Sequence, residues 1–270
     1  MPEKLLNLPR THHIQSITKF NSNFVFQNNE RTKFTTITFP IEVHGVSMRK
    51  EEMEGLDSTN WLNDSIINSY LKGIALPYNN VFVFNTAFYG LLTTISIDRS
   101  MRMSRFINLS YQNVFIIPIY HPLHWALVVV LLKERSMVYI DSMGNSRSSE
   151  TLRNIKTYFI EVGSRIWPSE RERFNIINTF ALTANPQQTN CDDCGVFTLA
   201  AATQILRRYS FITNSIHYED IKQSLEEMLD FDQSSISSWR NQIRRDILRD
   251  SIPLPADHNA NLEFDIEILQ

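Results

Sequence analysis

Residues Val196-Phe197-Thr198-Leu199-Ala200-Ala201-Ala202-Thr203-Gln204-Ile205-Leu206 are apolar on nearly every side of a helix, and a helix without a polar face has to be buried. The stretch before it, Pro186-Gln187-Gln188-Thr189-Asn190-Cys191-Asp192-Asp193-Cys194-Gly195, is rich in residues that break regular structure. Together they put Cys194 at the N-terminus of a buried helix, where free backbone N–H groups and the helix dipole favour the thiolate. The same arrangement also fits a small residue capping a core helix, because a free cysteine is commonly buried and inert. The rest of the chain has to decide between the two.

The whole chain sets bounds on the answer. Its 270 residues are 43% apolar, enough for one large domain or two small ones with a sizeable core. The net charge of -3 is spread without long blocks of one sign, so no polybasic surface for nucleic acid or an anionic membrane is expected. No apolar run reaches the ~18 residues of a membrane span, and Met1-Pro2-Glu3-Lys4 lacks the layout of a signal peptide. Cys191 and Cys194, the only cysteines, are too close in sequence to build a disulfide framework. The expectation is an intracellular protein, nuclear or cytoplasmic, acting as a monomer.

Along the chain, Phe24-Val25-Phe26 and Phe34 to Phe39 flank a turn-rich segment and suggest a hairpin within an N-terminal extension, residues 1–39. Residues 41–56 are mixed, with a helical turn ending in a loop near Met53 to Ser58. Leu62, Ile66, Ile67, Tyr70, Leu71 and Ile74 then share one helical stripe, with Asn63 or Asp64 near its N-cap and Trp61 at its mouth. Val81-Phe82-Val83-Phe84 reads as a short strand, while Phe88 to Leu92 is open between helix and loop. Val114 to Ile119 and Ala126 to Leu132 are continuous apolar runs, the mark of strands buried on both faces, and Met137 to Ile140 is a third strand after a polar turn. Ser149 to Ile166 has helical spacing, and Ile176 to Leu182 reads as a strand. Helices at His217 to Leu229 and Ile236 to Ile252 follow, and Pro253 and Pro255 stop the last of them. With no repeat or Gly/Ser linker, the economical division is one α+β domain, 40–252, followed by a tail, 253–270.

A catalytic cysteine needs a histidine as base and a third group to orient that histidine. Of seven histidines, His124 is best placed, because it opens the strand 126–132, which turns back into the strand that ends at Asp141. In an antiparallel hairpin residue 124 faces somewhere between about 141 and about 145, so both side chains lie at one end of the sheet, although counting leaves open whether they touch. Each has an ordinary alternative: His124 as a loop histidine beside a strand, Asp141 as a turn former before Ser142, Met143 and Gly144. His121 is a nearby competitor, whereas His44 and His217 lack a strand-borne acid. Negative charge on an attacked carbonyl also needs fixed donors; the backbone N–H of Cys194 is one, and the side-chain amide of Gln188, on the same loop, is a second candidate.

Four stretches, Trp61-Leu62-Asn63-Asp64, His124-Trp125, Tyr139-Ile140-Asp141-Ser142 and Pro186-Gln187-Gln188 through Asp193-Cys194-Gly195, resemble in content and order the Ulp/sentrin cysteine proteases, which process SUMO and related ubiquitin-like proteins. The resemblance covers about residues 40–250. It implies a papain-like α+β fold in which a central helix carrying the nucleophile packs on a mixed sheet carrying histidine and aspartate. It further implies Cys194 as nucleophile, His124 as general base, Asp141 as orienting acid and Gln188 as oxyanion-hole donor. By the same resemblance Trp61 and Trp125 clamp the substrate's C-terminal diglycine, since only residues without side chains pass between two indoles. Asp64 would meet a basic residue of the modifier near that tail. Core packing is the rival role for both tryptophans.

The expected activity is therefore thiol-dependent cleavage after the diglycine of SUMO, by deconjugation, precursor processing or both, with SUMO and its conjugates as partners. Another ubiquitin-like modifier or ubiquitin itself is the alternative substrate; an inactive modifier-binding module is the alternative from another class. No cofactor and no metal are expected, because a zinc site at Cys191 and Cys194 would need two further ligands that the local sequence does not offer. The tail Ile266-Glu267-Ile268-Leu269 has the form of a SUMO-interacting strand, a form that ordinary strand alternation also produces. Cys191 departs from the small residue usual in the family, and with Cys194 it could close a reversible disulfide that silences the enzyme. Such a switch requires peroxide to abolish activity and a thiol reductant to restore it; full activity after peroxide without reductant rules it out.

Overall fold

The computed structural model describes residues 25–28, 37–57, 59–94, 107, 111–166, 168, 171–212, 221–251 and 264–267. The chain divides into two compact units, Phe39–Pro255 and a unit of the two termini. In the terminal unit β1 (Val25–Asn28) pairs antiparallel with the last strand of the chain, Phe264–Glu267. Phe34 to Thr36, the first half of the other arm of the expected hairpin, and the end of the tail motif, Ile268 and Leu269, lie outside the described residues.

The larger unit begins with a short hairpin, β2 (Ile41–Val43) and β3 (Val46–Met48), turned by His44 and Gly45 at φ of 52° and 72°. Two successive left-handed residues suit the tight turn of twisted strands. One helical turn, α1 (Lys50–Met53), runs into a 3-10 turn at Glu54–Leu56, and a strap through Asn60 and Trp61 leads to α2 (Asp64–Ala75). Asn63 is its N-cap: its side-chain oxygen accepts from the Ile66 N–H at 3.0 Å, meeting one of the donors a helix start leaves unpaired. After β4 (Val81–Val83), the stretch that sequence left open forms α3 (Ala87–Thr94).

The apolar runs become a five-stranded mixed sheet with β4, β5 (Val114–His121), β6 (His124–Leu131), β7 (Ser136–Ile140) and β8 (Asn178–Ala181) in that spatial order. The β5–β6 and β6–β7 pairs are antiparallel, and the two outer pairs are parallel. Strand residues alternate between faces. Ala126, Val128 and Val130 of β6, with Met137 and Tyr139, join Leu152, Ile155, Tyr158 and Phe159 of α4 (Ser148–Ile166) in one buried cluster. The alternating residues Leu127, Val129 and Leu131 are equally buried, and the helix packed on the other side of β6 is α6 (Cys194–Ile212), which follows the short α5 (Arg171–Asn175). Burial on both faces is the physical reason these strands read as unbroken apolar runs.

Helix α6 is itself enclosed, with α2 and the last helix, α8 (Ile236–Asp250), against it, and α7 (Ile221–Met228) along its C-terminal part. Its nearly all-apolar circumference over residues 196–206 matches this position. Its start is also crowded: a Cβ built on Gly195 would stand 2.9 Å from the Cβ of Leu62, which is itself buried beside Trp61. The Gly195→Ala variant is therefore expected to lose about 1–3 kcal/mol of stability through forced displacement of Leu62, read as a lowered denaturation midpoint.

Candidate active site

Chain topology brings the singled-out residues to one end of the sheet. The β6–β7 ladder pairs Leu127 with Ile140, a register whose continuation sets Asp141 opposite Ala126 and leaves His124 two residues further on the same face. His124 and Asp141 are thus diagonal neighbours, and the side chains close the gap: His124 Nε2 lies 2.7 Å from Asp141 Oδ1. The aspartate is fixed from several sides. Its Oδ2 accepts from the Tyr139 hydroxyl at 2.8 Å, Oδ1 accepts from the Met143 N–H at 2.8 Å, and its backbone carbonyl accepts from Asn185 Nδ2 at 2.9 Å.

With Nε2 committed to Asp141, Nδ1 is the nitrogen left for Cys194. It is buried and makes no hydrogen bond of ordinary geometry, yet the Cys194 side chain is close enough to act on the ring. Burial opposes charge on this imidazole, but the Asp141 hydrogen bond and the Cys194 side chain outweigh it, and His124 is pushed up from 6.5 to about 9. Cys194 is the first residue of α6 and is buried as a free thiol, whereas the free thiol of Cys191 is exposed. Histidine, aspartate and cysteine form one cluster that can hold and move a proton beside a sulfur at a helix start.

His121 does not compete for Asp141. It is the cross-strand partner of His124, sits buried with Nε2 3.4 Å from the Tyr139 hydroxyl, and is held below the usual histidine range by burial first and by Arg147 and His124 next. Tyr139 is pushed far up by burial and by the Asp141 charge, so it stays a phenol and a hydrogen-bond donor. Neither residue was assigned a task from the sequence; Tyr139 stands in the quoted Tyr139-Ile140-Asp141-Ser142 stretch, which was the available signal.

The loop before Cys194 is docked on the loop after β7. Ser142 Oγ donates to Gln188 Oε1 at 2.6 Å, the Gln188 N–H donates to the Ser142 carbonyl at 2.9 Å, and Gln188 Nε2 donates to the Asn190 carbonyl at 2.6 Å. An amide nitrogen carries two hydrogens, so the second remains for another acceptor. The two tryptophans have different settings. Trp61 is 44% exposed and its Nε1 donates to Asp192 Oδ1 at 3.0 Å, while Trp125 is 5% exposed, donates from Nε1 to the Leu62 carbonyl at 3.0 Å and has Tyr120 packed on its ring. Asp64 is exposed at the first position of α2.

Sequence reasoning missed Arg240, for which no local pattern exists. It is 3% exposed, and its Nε and Nη2 donate to Asp193 Oδ1 at 3.0 and 2.6 Å. Burial opposes charge on Asp193, but hydrogen bonds from Arg240, Asn190 and Gln233 prevail and hold its carboxyl below the usual range. Breaking such a buried pair by removing one partner costs about 3–5 kcal/mol, because the other charge is left without a counter-charge. Among the described residues, no group of three or more His, Cys, Asp or Glu side chains is gathered to hold a metal ion, and no helix is long and apolar enough to cross a membrane.

Compared with known proteins, residues 60–236 match the sequence signature described as the Ulp1 protease family, C-terminal catalytic domain. Sentrin-specific protease 2 of Pongo abelii is 30% identical over 174 residues, which is 58% of this chain and 27% of the relative. Sentrin-specific protease 5 of Mus musculus is 30% identical over 174 residues, 63% of this chain and 23% of the relative. The chain thus spans about a quarter of the length of these relatives. Among solved structures, SUMO protease Ulp1 with its catalytic cysteine oxidized to a sulfenic acid superposes with a TM-score of 0.64 at 24% identity, over 78% of this chain and 88% of that one. The C-terminal Ulp1 protease domain in complex with Smt3, the yeast ortholog of SUMO, gives 0.62 at 24% identity, over 79% and 88%. The fold is the α+β, papain-like one expected from the sequence.

The raised value of His124 has a pH signature. Such a group contributes stability that is fully present below its unfolded value of 6.5 and is lost as pH rises through about 9. The Asp141→Asn variant removes the charge that sustains the shift. The gap in melting temperature between wild type and variant is therefore expected to be widest below pH 6.5 and to shrink as pH rises through about 9; a constant gap would show that the imidazolium–carboxylate pair contributes nothing.

Proposed function

The chain belongs to the Ulp1 protease family, and on that basis we propose that it is a cysteine protease that cleaves after the C-terminal diglycine of SUMO, freeing it from conjugates, from its precursor, or both. The observation that carries the reading is the 2.7 Å contact of His124 Nε2 with Asp141, which leaves Nδ1 for the thiol at the start of a buried helix. The names of the matched relatives, sentrin-specific proteases, favour SUMO over other modifiers.

In this proposal the Cys194 sulfur, its proton held by His124, attacks the carbonyl carbon of the last glycine. The oxyanion that forms is met by the Cys194 backbone N–H and by the free hydrogen on Gln188 Nε2, whose amide Ser142 and Asn190 already hold. His124 then gives its proton to the departing lysine amine, the C–N bond breaks, and an acyl-enzyme remains. A water that loses its proton to His124 attacks the thioester, releasing the modifier's carboxylate and the thiol. Asp141 keeps the imidazole in one orientation and offsets its positive charge during both proton transfers.

The diglycine would lie between Trp61 and Trp125. Trp125, buried and anchored to the Leu62 carbonyl, acts as the fixed wall, and Trp61 is the wall open to solvent. Asp64 would take a basic residue of the modifier near its tail. The absence of a basic block in a chain of net charge -3 agrees with a protein substrate and with no nucleic-acid role, and two free thiols agree with an intracellular setting, nuclear or cytoplasmic. We assign the working species as a monomer.

A panel of propargyl-ended SUMO, ubiquitin and Nedd-type probes tests the reading. A covalent adduct is expected with the SUMO probe, lost in Cys194→Ala and retained in Cys191→Ala. An adduct with another modifier alone would reassign the substrate, and no adduct with any probe would mean a modifier-binding module rather than a protease.

A further inference from the structure

One guanidinium touches both segments that the proposed reaction has to keep in register. Arg240 Nη1 donates to the carbonyls of Gly55 and Asp57, each at 3.0 Å, and Nη2 donates to the Asn60 carbonyl at 2.9 Å, so the strap ending at Trp61 is held along its length. Nη2 also approaches the Asp192 carbonyl at 3.4 Å and, with Nε, binds Asp193, the residue before Cys194. The other carboxylate oxygen of Asp193 accepts from Asn190 Nδ2 at 2.6 Å and from Gln233 Nε2 at 2.7 Å. The Asp193 backbone carbonyl accepts from the Phe197 N–H at 2.9 Å, which makes this residue part of the first turn of α6. A direct link closes the loop on the surface, where Trp61 Nε1 donates to Asp192 Oδ1.

We propose that Arg240 is a positioning residue for the reaction: by joining the carbonyls of the Trp61 strap to Asp192 and Asp193, it fixes the distance between the exposed indole and the Cys194 sulfur. The chemistry calls for such a link. An acyl transfer needs the scissile carbonyl placed on the sulfur within a fraction of an ångström, yet the wall that would hold the diglycine and the nucleophile sit 133 positions apart in the chain. Trp61 rides on a loop and Cys194 directly follows one, and loops shift more easily than the sheet. Arginine suits the task because its five N–H groups in a rigid plane meet acceptors on both segments at once. A lysine in its place keeps the charge beside Asp193 but cannot reach the same set. The charge of Arg240 is matched by that of Asp193, so its effect on the sulfur is geometric.

This inference rests on the diglycine-cleaving function proposed above, and the experiment separates the two. In a Cys191→Ala background, adduct formation with a propargyl-ended SUMO probe, which needs the diglycine in place, is timed against alkylation of Cys194 by iodoacetamide, which needs only the sulfur and its histidine. Arg240→Lys is expected to slow the probe about 10-fold to 100-fold, the scale of a misplacement near 1 Å, with alkylation unchanged within about 3-fold. Trp61→Ala is expected to slow the probe as well, and adding Arg240→Lys to it to cost little more, because both act through one indole. A parallel fall of both reactions, no fall in either, or full additivity with Trp61→Ala overturns the proposal. Should Arg240→Lys not fold, Arg240→Gln, which keeps a side-chain donor but cannot bridge both segments, carries the same test: a slower probe with unchanged alkylation supports the link, and an unchanged probe rate overturns it. A wild-type chain that ignores the SUMO probe would instead refute the function itself.

Discussion

A charged arginine buried within a helical layer is stable only if every N–H finds an acceptor, and Arg240 meets this demand with one carboxylate and four backbone carbonyls. The consequence is architectural. Helix α8, the strap from Gly55 to Asn60, and the loop that ends at Cys194 share one hydrogen-bonded centre, and no part of it can move without leaving a buried polar group unpaired. Arg244, one turn further along α8, adds an ion pair to Asp57 at 2.6 Å on the same strap. The nucleophile is thereby supported from the helical side, while its histidine and aspartate are supported from the sheet.

The sheet supplies rigidity of another kind. β6 is covered on both faces, so the strand that presents His124 and Trp125 is held by packing along its whole length. Its end emerges beside the start of α6, and the two halves meet across the loops 141–145 and 185–190. There the contacts are polar: Ser142 with Gln188, Asn185 and Gln187 with the Asp141 carbonyl, and Asn145 with the Leu182 carbonyl. Polar contacts between loops are directional, which suits a place where an acid, a base and a donor must each keep one orientation. Burial opposes charge on His124, and its value of about 9 arises because the hydrogen bonds and charges of Asp141 and Cys194 outweigh that burial.

Legibility in the sequence followed the range of the interaction. The runs at 114–119 and 126–132 announce buried strands because apolar faces on both sides leave no polar alternation, and the helix at 196–206 announces itself for the same reason. The hairpin put His124 and Asp141 at one end because its turn is short. Where two local tendencies balance, sequence left the answer open or passed it by. Phe88 to Leu92 is short and carries a glycine among aromatic and apolar residues, which leaves helix and loop open, and its seat against β5 and α4 makes it helical. The hairpin at Ile41–Met48 rests on a turn at His44-Gly45 whose histidine is an unusual occupant of positive φ.

Composition and periodicity were enough to set an α+β chain with a cysteine at the head of a buried helix and a histidine and an acid on adjacent strands, because burial and backbone pairing act between near neighbours. Tertiary structure alone decided which atoms meet. It made His124 and Asp141 diagonal contacts, separated an exposed Trp61 from a buried Trp125, and gave Tyr139 to Asp141 and Arg240 to Asp193. Apart from Tyr139 with Asp141, which are two residues apart, such pairings join residues far apart in the chain or displaced across a strand pair. A hydrogen bond asks only for a donor and an acceptor about 3 Å apart, a condition that leaves no periodic trace in sequence.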